Sequence, residues 1–168
     1  SGAINGVEVR GNKGGDFFTG AGAIATSTLN SGAGNDTISL GAGAISGATF
    51  IETGAGDNLV ELGGTATTLT FIGGAGNDTV TFSSGITGVS IVSGSGNDSL
   101  NFTVGASSTN AANTYFFGSG HGADTINFTQ NASGTVIAVS ADFGATGSYS
   151  AGTITLSSAN TITLADTA

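Results

Sequence analysis

Residues Gly73–Phe82 read GGAGNDTVTF, and the same ten-residue word, slightly altered, stands at Ser31–Leu40 (SGAGNDTISL) and Ser93–Phe102 (SGSGNDSLNF). Looser copies occupy Gly11–Gly20 (GNKGGDFFTG), Thr53–Leu62 (TGAGDNLVEL) and Ser119–Phe128 (SGHGADTINF). The six copies set the sixth word position at Asp16, Asp36, Asn58, Asp78, Asp98 and Asp124, in steps of 20, 22, 20, 20 and 26 residues. Self-similarity at this period means a stack of like units, each too small to bury an apolar face by itself.

The fourth word position is Gly in every copy, and the second is Gly in all but the first, where it is Asn12. Glycines at alternate positions beside Asn and Asp describe a turn whose backbone needs positive φ or close approach to a neighbour. After the turn, apolar residues fall at every second position: Ile38 and Leu40, Val60 and Leu62, Val80 and Phe82, Leu100 and Phe102. That is the period of a strand with one buried face. The residues before each turn alternate in the same way, as in Leu69 and Phe71 or Val89 and Ile91. Each period therefore holds two inward strands, joined on the far side by softer Gly/Ser/Ala turns such as 41–47 and 83–88. The expected fold is all-β: a solenoid of about six coils, with strands roughly 4.8 Å apart along a rod of roughly 30 Å.

Composition agrees with a packed repeat and closes off several functions. The chain has 168 residues with 31 Gly and no Pro, Cys, Met or Trp, yet 38% hydrophobic residues and ten Phe, too apolar for a solvated linker. Two Lys and Arg against eleven Asp and Glu leave a formal charge of −9, which repels nucleic acid and anionic lipid. No run approaches the roughly 18 apolar residues of a membrane helix, so direct membrane insertion is not expected. The start at Ser1-Gly2-Ala3, without Met, reads as a processed chain or a segment of something larger. Disulfides cannot staple the fold, because there is no Cys.

Stacked turns bring the sixth-position carboxylates into a column with one coil spacing between them. Bare carboxylates so placed repel one another, and a cation among them removes the repulsion. Carboxylates of successive turns and carbonyls of the Gly-rich bends offer the all-oxygen shell that Ca²⁺ takes, whereas Mg²⁺ demands a tighter octahedron. No His/Cys cluster exists for zinc. Six turns leave five gaps, so about four to five ions are expected.

The words GGAGNDTVTF and SGAGNDTISL resemble the glycine-aspartate repeat of RTX (repeats-in-toxin) proteins, the calcium-binding β-roll family found in bacterial surface-layer proteins and large adhesins. The resemblance covers about 11–128. It implies Asp16, Asp36, Asp78, Asp98 and Asp124 as side-chain ligands, with carbonyls around Gly32 and Gly34, Gly74 and Gly76, and Gly94 and Gly96. The third copy departs from the pattern: Asp57 and Asn58 are exchanged, so either this site is weaker or Asp57 reaches in from the fifth position. The common family coil carries a calcium turn on both sides, whereas here one side alone carries it. That form is similar to the one-sided solenoids of large bacterial adhesins, some of which bind ice.

The remaining residues narrow the function. His121, the sole histidine, is expected to be exposed in the sixth turn, with no nucleophile, base and orienting partner around it. Catalysis is not expected. Ice binding calls for a regular Thr row, yet the third word position reads Lys13, Ala33, Ala55, Ala75, Ser95 and His121, leaving only outward Thr37, Thr79 and Thr125. Outward Phe50, Ile72, Val92 and Phe116 are expected to form an apolar stripe for self-association, for other surface proteins, or for a covering C-terminal segment. The solenoid is expected over 1–130. Residues 131–168 lack the word but keep alternation in 135–139, 153–156 and 161–164, and are expected to cap or continue the rod without metal.

The expected function is an extracellular, calcium-dependent structural segment, most consistent with a bacterial surface layer or cell-surface filament that self-assembles. The alternatives are an adhesin or ice-binding module, or the RTX module of a secreted hydrolase. The resemblance further implies type I secretion.

Overall fold

A computed structural model of the chain describes residues 3–103, 112–117 and 120–128, together with the strands 136–139, 148–150, 153–157 and 160–166. The chain winds as a parallel β-solenoid. The first coil contributes β1 (Ile4–Asn5), β2 (Glu8–Arg10) and β3 (Phe17–Gly20), and the second β4 (Ile24–Ala25), β5 (Thr28–Asn30) and β6 (Thr37–Leu40). The third contributes β7 (Ile45–Ser46), β8 (Phe50–Ala55) and β9 (Leu59–Leu62), and the fourth β10 (Ala66–Thr67), β11 (Thr70–Ala75) and β12 (Thr79–Phe82). The fifth contributes β13 (Ile86–Thr87), β14 (Ser90–Ser95) and β15 (Ser99–Phe102). The sixth copy of the word adds β16 (Thr114–Phe117) and β17 (Ala123–Phe128).

Corresponding strands pair in parallel, in the order β1-β4-β7-β10-β13 for the first sheet. The second sheet begins at β2 and runs through β5, β8, β11, β14 and β16, and the third begins at β3 and runs through β6, β9, β12, β15 and β17. Five complete three-strand coils are thus seen among the described residues. The expectation of two strands per coil is corrected. The segments read as soft turns, 41–47 and 83–88, each carry a short strand whose Ile45 or Ile86 is buried. A two-residue strand is too short to display the alternation by which strands are recognised. The corner leading from the first sheet to the second is sharp enough to hold even β-branched Thr26 at φ 50°.

The core is a set of ranks one residue wide. Ile38, Val60, Val80, Leu100 and Ile126 stack in register on the third sheet, all buried. Leu29, Ile51, Phe71, Ile91 and Tyr115 face them from the second. The Phe82 and Phe102 rings stack at 5.1 Å between centroids with 7° between planes, and Tyr115 meets Phe102 edge-on at 5.3 Å. In-register stacking makes each buried side chain the floor of the next, so removing one leaves a void that the backbone ladder on either side holds open.

Beyond 130, β18 (Val136–Val139) pairs in parallel with β16, and β21 (Asn160–Asp166) in parallel with β17. Outward from β21 the sheet turns antiparallel: β20 (Thr153–Ser157) runs antiparallel to β21, and β19 (Ser148–Ser150) antiparallel to β20. At the other end, Ile4, Val7 and Phe17 are exposed around a cavity of about 320 Å³ beneath the first coil.

Candidate metal centre

The turns between the second and third sheets nest closely. Gly34, Gly56, Gly76 and Gly96 hold φ between 120° and 131°. A Cβ at any of them would run into the carbonyl of the equivalent glycine one coil earlier. The fourth word position is therefore Gly for two independent reasons, conformation and space.

This nesting turns the sixth-position side chains inward as a continuous column. Asp36, Asn58, Asp78, Asp98 and Asp124 are each 1–3% exposed, and Asp16 is half-buried at the end of the row. Each main-chain N–H donates to the side-chain Oδ1 of the next coil. The bonds run from Asp16 to Asp36 (2.7 Å), Asp36 to Asn58 (2.9 Å), Asn58 to Asp78 (3.0 Å), Asp78 to Asp98 (2.8 Å) and Asp98 to Asp124 (2.8 Å).

One oxygen of each carboxylate is thus spoken for, and the other is the point of interest. Oδ2 of Asp36, Asp78 and Asp98 is buried with no hydrogen-bond partner among the described residues. A buried carboxylate oxygen without a donor carries a desolvation penalty that something must offset. Burial pushes Asp78 up to about 6, against the opposing pull of its hydrogen bonds from Asn58. It raises Asp98 as well, and it pushes Asp124 up to about 7.

The alternative left open at 57 and 58 is narrowed, and two further details were not foreseen. Asp57 does not reach in: the fifth word position faces out, and its side chain joins an exposed ladder of opposite sense. There Asp57 N donates to Asn35 Oδ1 (2.9 Å), Asn77 N to Asp57 Oδ1 (2.7 Å) and Asn97 N to Asn77 Oδ1 (2.8 Å). Asn58 takes the inward place instead, and its Nδ2 donates to both the Gly56 carbonyl and Asp78 Oδ1, each at 2.8 Å. His121 is fully buried rather than exposed, its Nδ1 2.7 Å from Asp124 Oδ2 and its ring edge-on to Phe117 at 5.4 Å. Finally, the first word position forms a buried hydroxyl ladder, Ser31 Oγ donating to Thr53 O (2.9 Å) and Thr53 Oγ1 to Gly73 O (2.7 Å). A repeated Ser/Thr at that position was the available signal for this ladder.

Among the described residues no three Asp, Glu, His or Cys side chains converge on a point. A metal here would draw on one or two carboxylate oxygens per turn and on main-chain carbonyls. That is a hard, all-oxygen donor set, and the unpartnered Oδ2 atoms fit a cation of the Ca²⁺ type.

The outward apolar stripe is shorter than expected. Ile72, Val92 and Phe116 share one row on the second sheet, which Glu52 and Asn30 continue as a polar pair joined at 2.6 Å. Phe50 lies in the adjacent row, opposite Thr28 and Thr70. No known protein family matches the chain, and a comparison with curated proteins finds no relative.

Proposed function

We propose that this chain is a calcium-built structural module of an extracellular assembly, of the kind that the RTX resemblance implies. The observation that carries this reading is the column of buried carboxylates whose Oδ2 atoms lack donors. Asp36, Asp78 and Asp98 would hold Ca²⁺ together with carbonyls of the glycine-rich turns, and Asp16 and Asp124 lie at the ends of the same column. The ion supplies charge compensation inside the turn, and because it binds the folded chain alone, its binding free energy becomes folding free energy. A chain of this sort stays open where calcium is scarce and closes outside the cell. The strands beyond 130 serve as the cap that ends the stack. The row of Ile72, Val92 and Phe116 supports lateral association, and the reading is non-catalytic.

The test is circular dichroism and electron microscopy with and without chelator. We expect loss of β-structure on removing calcium, and sheets or filaments on restoring it. An unchanged, heat-resistant β-rich molecule in chelator overturns the proposal.

A second reading has one observation in its favour. Thr37, Thr79, Ser99 and Thr125 fall in a single register row on the outer face of the third sheet, broken by Leu59. Such a row suits an adhesive or ice-binding face, and thermal hysteresis measures it directly.

A further inference from the structure

The six turns are not equivalent, and the differences lie in what meets the second atom of the sixth-position side chain. At the second, fourth and fifth turns that atom is Oδ2 of Asp36, Asp78 or Asp98, and it makes no hydrogen bond among the described residues, although at the fifth turn the Ser93 hydroxyl lies near enough to the Asp98 carboxylate to favour its charged form. At the third turn it is Nδ2 of Asn58, which donates to the Gly56 carbonyl and to Asp78 Oδ1. The orientation of this amide is fixed from both ends, since its Oδ1 accepts the Asp36 N–H at 2.9 Å. At the sixth turn Asp124 Oδ2 lies 2.7 Å from His121 Nδ1, and a proton between them serves whichever partner carries it. At the first turn Asp16 Oδ2 accepts the Asn12 N–H at 3.2 Å.

The Asn58 amide also marks what the corner wants. A nitrogen bearing hydrogens bridges the turn's own fourth-position carbonyl and the next coil's Oδ1. At the fourth turn Asp78 Oδ2 has no donor and lies beside Gly73 of its own turn, where an added Cβ would meet it at 2.6 Å. The sixth side chain thus presents a donor nitrogen at the third turn and a bare oxygen at the fourth.

Resting on the calcium reading above, we infer that Asn58 and His121 are built-in plugs whose side-chain nitrogens stand where an ion would otherwise sit. The column then takes up three ions, not one per gap. One belongs to the second turn, and two neighbours belong to the fourth and fifth. The amide at the third turn divides the column into segments that load separately, and the coil around Asn58 is closed without metal. An amide donor needs no calcium, so this coil is a point from which ordering spreads to both sides when the ion arrives.

The experiment is a count of bound ions. The full chain and its Asn58→Asp and Asp78→Asn variants are freed of metal, titrated with Ca²⁺ by calorimetry, and assayed by equilibrium dialysis. We expect three ions for the parent chain, four for N58D, and two for D78N. A parent chain that binds five ions overturns the inference while leaving the calcium reading intact, and so does an N58D variant that folds and binds no additional ion. The parent count stands whether or not either variant folds. If none of the three proteins binds Ca²⁺ up to about 10 mM, above the range of extracellular calcium modules, the calcium reading itself falls, and the inference with it.

Discussion

The main-chain N–H of Asp78 donates to Oδ1 of Asp98 across 2.8 Å, so a buried carboxylate of one coil is held by the backbone of the coil before it. This bond satisfies one oxygen and orients the other toward the inside of the turn, where charge has to be balanced by a proton or by a metal ion.

In the metal-free chain, protons take that role. Asp78 rises from an ordinary 3.8 to about 6, and Asp124 to about 7, because burial disfavours the anion. The folded state therefore binds more protons than the unfolded one between about pH 4 and pH 7. Stability from these groups is fully present below about pH 4 and is lost as pH rises through 6 to 7. For Asp78 the loss is on the order of 3 kcal/mol. In thermal melts with chelator, the metal-free chain should show a folded baseline and a Tm at about pH 4.5, and at about pH 7.5 a lower Tm or no folded baseline, with excess Ca²⁺ restoring the neutral sample. A Tm that climbs with pH in chelator would contradict the burial of these carboxylates.

Gly76→Ala should be far more damaging than Gly88→Ala, although both glycines have positive φ. Gly88 has nothing within 4 Å of an added Cβ, and its φ of 63° is ordinary left-handed backbone. That change should cost about 1 to 2 kcal/mol. Gly76 at φ 120° would drive the methyl into the Gly56 carbonyl. A cost of about 3 kcal/mol or more is expected, read as the difference in unfolding free energy between the two variants in denaturant titrations.

Phe82→Ala removes one ring of the Phe82–Phe102 stack in a core where neighbouring ranks cannot close the gap. We expect a loss of about 3 to 5 kcal/mol, with the denaturation midpoint falling and the slope unchanged.

On the outer face of the second sheet, Val92→Thr combined with Phe116→Ser should leave unfolding free energy within about 1 kcal/mol of the parent. Sedimentation velocity in calcium should then show the association of the parent chain reduced in the variant. Equal association by both proteins would rule out the Ile72, Val92 and Phe116 row as the contact.

The turns, the inward strands and the carboxylate column were all legible in the sequence, because each rests on a short, repeated spacing: Gly at alternate positions, then apolar residues at alternate positions. The first sheet was not legible, since Ile24, Ile45, Ala66 and Ile86 are lone apolar residues among Gly, Ser and Ala, and a two-residue strand has no period to read. The exchange at 57 and 58 was ambiguous as text. Backbone parity decides it: the fifth position faces water whatever residue stands there, so the exchange put Asn58 inside and left Asp57 outside. His121 escaped for the same kind of reason. Its counterparts Ala55, Ala75 and Ser95 are exposed, and only the altered sixth turn, with Gly120 at φ 78° and Gly122 at 85°, brings the imidazole against Asp124.

Parallel stacking also has a mechanical side. Each coil raises the rod by about 4.8 Å yet contains about 20 residues, which is about 70 Å of chain when drawn straight. The ladder bonds point along the rod, so tension between its ends passes through every rung in series, and the outermost, paired on one side alone, is the first to open. A tether built this way yields under a tug in discrete lengths many times the height it gives up, absorbing a jolt by unwinding a rung rather than by snapping.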